Sequence, residues 1–206
     1  MKQSKECLLI GDSNFINKKI FNLNNTQKSL CLGELIQYKL ERENIKVFNF
    51  SYWGENLLDI YKRFIINGPL PNKNPKLIFL GLGTNDANYL YSINNFIISP
   101  KLHYAILNEI VEIFCNYYEN TKIFILPIPQ ISLKGDNELS QKINKQINLF
   151  NKERLKLCNK KSSKLKFLNR LDINPNYHLD NDGIHYNKAG ITFIADIISE
   201  YIVNYI

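Results

Sequence analysis

Along the chain, short and mostly apolar runs alternate with longer stretches in which apolar residues recur every three or four positions. Cys7–Ile10, Val47–Phe50, Leu77–Leu80, Ile123–Leu126 and Leu165–Leu168 are runs of the first kind. Their brevity and weak polar alternation predict strands buried on both faces, as in parallel sheets. Ser29–Arg42, Leu57–Ile66, Leu102–Tyr118 and Leu139–Leu157 carry the helical spacing, and Lys188–Tyr201 closes the chain the same way. Such alternation predicts an α/β fold, a parallel sheet with helices on both faces. No internal repeat and no Pro/Gly/Ser-rich linker interrupts it, so residues 1–206 are expected to form a single domain.

The predicted sheet sorts the loops. In such folds ligands collect beyond the carboxyl ends of the strands. Gly11-Asp12-Ser13 follows the first predicted strand, Ser51–Asn56 the second and Gly81–Asp86 the third. Asp182-Gly183-Ile184-His185 lies beyond the fifth, before the final helix. All four are expected at one edge of the sheet. The long segment Pro127–Asn137, after the fourth strand, is expected to form part of a rim or lid there.

Composition changes this picture little. With 45% hydrophobic and 22% charged residues the chain has the make-up of an ordinary globular protein. Its net charge of +7 comes from lysines scattered along the chain, not striped on one helix, which argues against a nucleic-acid partner. Cys7, Cys31, Cys115 and Cys158 form no C-x-x-C pair and no Cys/His ligand set. They are expected as free thiols in a reducing compartment, with no metal. The apolar run before Gly11 is too short for a signal-peptide core, and no segment has the uninterrupted length of a membrane span. A cytoplasmic location is the expectation.

The loop chemistry is more specific. A serine hydroxyl is a poor nucleophile until a positioned base takes its proton, and a carboxylate usually fixes that base. Ser13 is the candidate nucleophile, although a serine in that place also suits a helix cap or turn. The chain has no G-x-S-x-G, so it lacks the nucleophile elbow of the α/β-hydrolases. His185 is one of three histidines, with His103 and His178, and Asp182 three residues before it can reach its ring. Asp180 is a competing partner. Gly54 can offer a backbone N–H and Asn85 a side-chain amide to a developing oxyanion. A positive-φ turn and an Asx-turn are their structural alternatives. Asp12 and Asp86 read as acceptors that order their loops. Phe15, Tyr52, Trp53, Tyr89 and Tyr91 sit in or beside these loops. With Phe15, Trp53 and Tyr89 foremost, they suit stacking on a sugar ring or contact with an acyl chain.

The four loops, in this order, resemble the SGNH hydrolases, a branch of the GDSL-type esterases and lipases. Gly11-Asp12-Ser13 matches the first block, Gly54 the second-block glycine, Gly83-Thr84-Asn85-Asp86 the G-x-N-D block, and Asp182-Gly183-Ile184-His185 the D-x-x-H block. The resemblance implies a flavodoxin-like three-layer α/β/α sandwich with a five-stranded parallel sheet. It implies a Ser13–His185–Asp182 triad and an oxyanion hole shared by the Ser13 N–H, the Gly54 N–H and the Asn85 side chain. It further implies ester hydrolysis without a cofactor, on a small-molecule or glycan ester, a carbohydrate O-acetyl ester foremost. Acyl transfer, lysophospholipid or acyl-thioester hydrolysis, and a non-catalytic glycan-binding role are the alternatives. Tyr186 departs from the pattern, since many members have proline after the histidine.

Overall fold

The five apolar runs become the strands of one sheet. A computed structural model of the chain describes residues 5–68, 74–90, 95–161 and 163–206. In chain order its elements are β1 (Lys5–Gly11), α1 (Ser13–Ile16), β2 (Lys19–Leu23), β3 (Thr26–Leu30), α2 (Leu32–Lys39), β4 (Ile45–Asn49), α3 (Leu57–Asn67) and β5 (Leu77–Gly81). A 3-10 turn at Asn85–Ala87 precedes β6 (Tyr89–Leu90), β7 (Asn95–Phe96) and α4 (Pro100–Tyr117). Then come β8 (Lys122–Ile125), α5 (Asn137–Lys160), β9 (Leu165–Phe167), α6 (Pro175–His178) and α7 (Lys188–Tyr205).

The central sheet has the order β4-β1-β5-β8-β9, and every pairing in it is parallel. Counted among the parallel strands this is 2-1-3-4-5, the flavodoxin-like order, which reverses direction at its first strand. β1 therefore has β4 on one side and β5 on the other, and Gly11 pairs level with Gly81 at their carboxyl ends. The crevice of the fold opens there, directly before Ser13.

Because the strands are buried on both sides, alternate residues feed two cores. Cys7, Leu9, Leu77 and Phe79 pack with Leu32 and Ile36 of α2 and with Ile191, Ile194 and Ile198 of α7. Leu8, Ile10, Ile78 and Leu80 pack with Ile60 and Phe64 of α3, Ile110 and Phe114 of α4, and Leu157 of α5. Each such side chain contributes about 1.5–3 kcal/mol by leaving water. A third cluster, including Ile128, Ile131, Ile143, Ile147 and Phe150, lies under the loops.

The structure departs from the sequence expectation between the first strand and the second helix. Where a helix is expected from Ser29, β2 and β3 pair as an antiparallel hairpin and α2 begins only at Leu32. Asn24 and Asn25 turn it with φ of 49° and 61°, the left-handed pair that a two-residue hairpin requires. All four cysteines are free thiols, three of them buried. Among the described residues no helix is long and apolar enough to cross a membrane.

Candidate active site

β1 ends at Gly11, and Asp12 caps the one-turn helix α1 by accepting the Asn14 N–H at 3.0 Å. Ser13 thus occupies the first helical position at the crevice. Its Oγ lies 3.0 Å from His185 Nε2, across 172 residues of sequence. On the other side of the ring, His185 Nδ1 is 2.6 Å from Asp182 Oδ2. An ionised carboxylate only accepts, so Nδ1 carries the ring proton and Nε2 is left to accept from the Ser13 hydroxyl. Asp182 Oδ1 accepts the backbone N–H groups of Ile184 at 2.9 Å and His185 at 3.0 Å. Partial burial alone would raise the Asp182 carboxyl, but the His185 ring and these two N–H groups hold it below its ordinary range. Asp180, the competing partner, forms an ion pair with Lys19 instead. A further tie joins the chain's two ends: Asn14 Oδ1 accepts the Tyr186 N–H at 2.9 Å. That bond joins the residues that directly follow Ser13 and His185.

Asn85 stands in the 3-10 turn after β5, and its Nδ2 donates to the Glu55 carbonyl at 2.8 Å. This fastens the loop after β4 to the loop after β5 and leaves the second amide hydrogen for another acceptor. Gly54 is exposed with φ +70°, and a Cβ there would meet nothing within 4 Å. Arg63 of α3 braces the same loop, 3.1 Å from Glu55 and with its guanidinium 4.5 Å from the centre of the Tyr52 ring. Trp53 is 64% exposed, and its ring centroid lies 6.1 Å from that of His185. Ser13, Asn85 and His185 share the wall of one cavity of about 260 Å³.

Phe15 corrects a sequence expectation. It is 1% exposed and packs over Gly11 and Gly81, so it supports the crevice from the core and offers no rim to a ligand. Tyr89 lies in β6, and Tyr91 falls outside the described residues.

Two buried acids order the loops. Both carboxyl oxygens of Asp86 lie 3.2 Å from the Leu57 N–H, at the start of α3. Burial pushes the carboxyls of Asp12 and Asp86 up to about 6, against the lowering effect of these backbone bonds. The chain also buries Arg154 of α5 beneath the site. It donates through Nη1 to the Leu126 carbonyl at 2.6 Å, through Nη2 to the Leu82 carbonyl, and through Nε to His103 Nε2 at 3.1 Å. Burial, with Arg154 beside it, drives His103 down to about 2, so its ring is neutral. It stacks on Phe150 with centroids 4.1 Å apart.

The raised acids have a signed consequence. Between about pH 4 and pH 6 the folded chain keeps protons on Asp12 and Asp86 that the unfolded chain has released. Their stabilising contribution is complete below about pH 4 and is lost as the pH rises through about 6. Asp86→Asn removes one of these titrations. Relative to wild type, the variant is expected to gain up to ~3 kcal/mol on going from about pH 4 to about pH 7. Thermal melts of both proteins at the two pH values check this, and a constant difference would rule it out.

The segment after β8 is a fixed rim. Asn144 of α5 bonds both the N–H and the C=O of Ile131, each at 2.8 Å. Asn151, seven residues on, does the same for Ile128 at 2.8 and 2.9 Å. Ser140 Oγ accepts the Leu133 N–H at 2.9 Å, and the Ser132 N–H donates to the Gly183 carbonyl at 2.9 Å. The rim is thus tied both to α5 and to the Asp182–His185 loop. These amides stand beside the apolar stripe Ile143-Ile147-Phe150, and their seven-residue spacing is the signal that sequence reading passed over. Among the described residues no cluster of His, Cys, Asp or Glu could hold a metal ion.

Comparison with known proteins agrees with this fold. No curated protein matches the chain in sequence. A protein from Parabacteroides merdae described as a GDSL-like lipase superposes with a TM-score of 0.74 at 18% identity, over 97% of this chain and 96% of that one. A carbohydrate esterase family 3 member from Talaromyces cellulolyticus gives 0.72 at 15% identity, over 97% of each chain. An acetylxylan esterase from Geobacillus stearothermophilus, in a catalytic-mutant form, gives 0.69 at 15% identity over 98% and 96%. These likenesses establish the shared fold. The family model for the GDSL-like lipase/acylhydrolases matches residues 8–198. That match spans the serine loop, the Asp/His loop and nearly all between them, and the chain belongs to the GDSL-like lipase/acylhydrolase family.

Proposed function

We propose that the chain hydrolyses esters through a Ser13–His185–Asp182 triad, and the continuous path from Ser13 Oγ through His185 to Asp182 carries this reading. His185 Nε2 takes the hydroxyl proton as Ser13 Oγ attacks the ester carbonyl. The oxyanion is met by the Ser13 and Gly54 N–H groups and by the second hydrogen of the Asn85 amide. His185 then gives the proton to the departing alcohol, and water releases the acyl group by the same steps reversed. The Asp182 side chain is 46% exposed and that of His185 27%, so water reaches the acyl-enzyme, which supports hydrolysis over transfer to a second alcohol.

For the alcohol half, a carbohydrate is the leading reading. Two structural neighbours are carbohydrate esterases, and Trp53 offers an exposed ring beside His185 on which a sugar can stack. O-acetyl is the acyl group that the acetylxylan esterase suggests. The apolar part of the cavity favours a second reading on the acyl side, an ester of a longer chain.

Hydrolysis of p-nitrophenyl esters, followed by that of acetylated sugars, tests the reading. Asn85→Ala is expected to lower kcat by ~10²–10³-fold, since one oxyanion donor is lost. A protein inert towards every ester would overturn the proposal, and an unchanged kcat in Asn85→Ala would remove Asn85 from the oxyanion site.

A further inference from the structure

The cavity at Ser13 is divided in its chemistry. Ser13, Thr84, Asn85, Asn88 and His185 supply its polar lining, while Ile131, Leu133, Leu139, Ile143 and Ile184 supply the apolar part. We propose that these five side chains form a measuring pocket for the acyl chain, set for medium-length acids of roughly six to eight carbons in preference to acetate. The proposal rests on Ser13 being the nucleophile, and it names the acyl half of the ester bound there.

Three observations carry it. The first is size. The cavity measures about 260 Å³. A dry apolar cavity of about 150 Å³ takes up benzene, with its six carbons, so a space of this size has room for a chain of that length or somewhat more. An acetyl group would leave most of it empty and its apolar wall without contacts.

The second is direction. Ile184 sits between Asp182 and His185 in the chain, so the apolar wall begins beside the reacting groups. A carbonyl held at Ser13 can therefore send its chain straight along this wall. Leu139 and Ile143, four residues apart on α5, present one helix face to it.

The third is rigidity. Ile131 is 4% exposed and its backbone is bonded on both sides by Asn144, while the Leu133 N–H is held by Ser140. Ile131 and Ile143 belong to the buried cluster beneath the loops. The wall is built before any ligand arrives, so chain burial is not offset by ordering a loop.

The test is kcat/KM along a p-nitrophenyl series from acetate to decanoate, together with direct binding of the free acids. Each methylene that enters the pocket is expected to raise kcat/KM about fourfold, giving roughly a 250-fold rise between acetate and hexanoate and a fall beyond octanoate. Ile143→Phe, which fills the pocket, is expected to move the optimum towards acetate. Leu139→Phe, at a less buried position, is expected to do the same and serves where Ile143→Phe fails to fold. Trp53 is the chain's single tryptophan and lies beside His185, so its emission reports on occupancy. Octanoate is expected to perturb it at a concentration roughly a thousandfold or more below acetate.

The outcomes separate the two readings. Fastest turnover of acetate, or a flat series, overturns the pocket and leaves the esterase intact. If no ester is turned over yet octanoate binds in wild type and is weakened by either Phe variant, the nucleophile fails and the pocket stands. Equal binding of octanoate and acetate in a protein without turnover overturns both. Where the series peaks at hexanoate or octanoate, the same acyl group offered as sugar ester, thioester and lysophospholipid identifies its natural carrier.

Discussion

Ser13→Ala is expected to lower kcat for a p-nitrophenyl ester by ~10⁶-fold while leaving the fold in place, the loss seen when a triad loses its nucleophile. The size of the effect follows from how little else the hydroxyl does. Asp12, not Ser13, caps α1, and the hydroxyl's recorded partner is His185 Nε2. Alanine is a good first-turn helix residue, so the variant should melt within ~0.5 kcal/mol of wild type. The triad acts as a unit, and adding His185→Ala to Ser13→Ala should therefore cost little more. A fluorophosphonate gives an independent readout. It should label wild type once and leave the variant unlabelled, because only an activated serine attacks it. Undiminished turnover in Ser13→Ala would exclude the triad mechanism, whatever the substrate.

Much of this site was legible because its residues come in short local blocks at strand ends. The strands Cys7–Ile10 and Leu77–Leu80 announce themselves as unbroken apolar runs, and a parallel sheet then forces the loops after them to one edge. That is why Ser13 and Asn85 could be placed together from the chain alone. The Asp182–His185 pairing was legible for a different reason: three residues of turn leave few other ways for carboxylate and imidazole to meet. Phe15 misled because an aromatic residue beside a nucleophile looks the same whether its ring faces ligand or core. Only the two glycines beneath it, one on each of two neighbouring strands, reveal the answer. The β2–β3 hairpin was missed because its strands are largely exposed and lack a clean alternation. The Asn24-Asn25 turn was its one strong mark.

What sequence could not supply was the support. Asn14, Asn144, Asn151 and Arg154 act on backbone groups far away in the chain, and those bonds exist only once the fold has formed. A buried arginine in an otherwise apolar helical stripe hints that carbonyls await it, but not which ones. The same holds for the pocket. Ile131 and Leu133 look like ordinary loop residues until Asn144 and Ser140 fix where the loop runs.

Gly183→Ala is expected to lower kcat by ~10³–10⁴-fold, although residue 183 touches neither the nucleophile nor the base in the reaction, because it governs whether Asp182 can orient His185. Gly183 has φ +72°, a conformation that costs an alanine about 1 kcal/mol or more. Space adds a larger penalty. A Cβ at this position would overlap the carbonyl oxygen of Ser132, which is backbone and cannot swing aside like a long side chain. The neighbouring bonds leave little room to yield. The Ser132 N–H is held by the Gly183 carbonyl at 2.9 Å, and the Gly183 N–H donates to the Asp180 carbonyl at 2.9 Å. Behind Ser132, the rim is pinned to α5 through Ile131 and Leu133. The variant must therefore displace the Asp182–His185 turn and not the rim. The 2.6 Å bond from His185 Nδ1 to Asp182 is the contact most exposed to that shift. A displacement of about 1 Å in a catalytic group is enough for a hundredfold loss, and loss of the orienting carboxylate takes it further. Steady-state kinetics should show the fall in kcat with KM changed little, and a melt should show a loss of about 2–3 kcal/mol. The double variant Gly183→Ala with Ser13→Ala should be no slower than Ser13→Ala alone. Full activity in Gly183→Ala would mean that the rim can move after all, and that Asp182 and His185 keep their geometry without it.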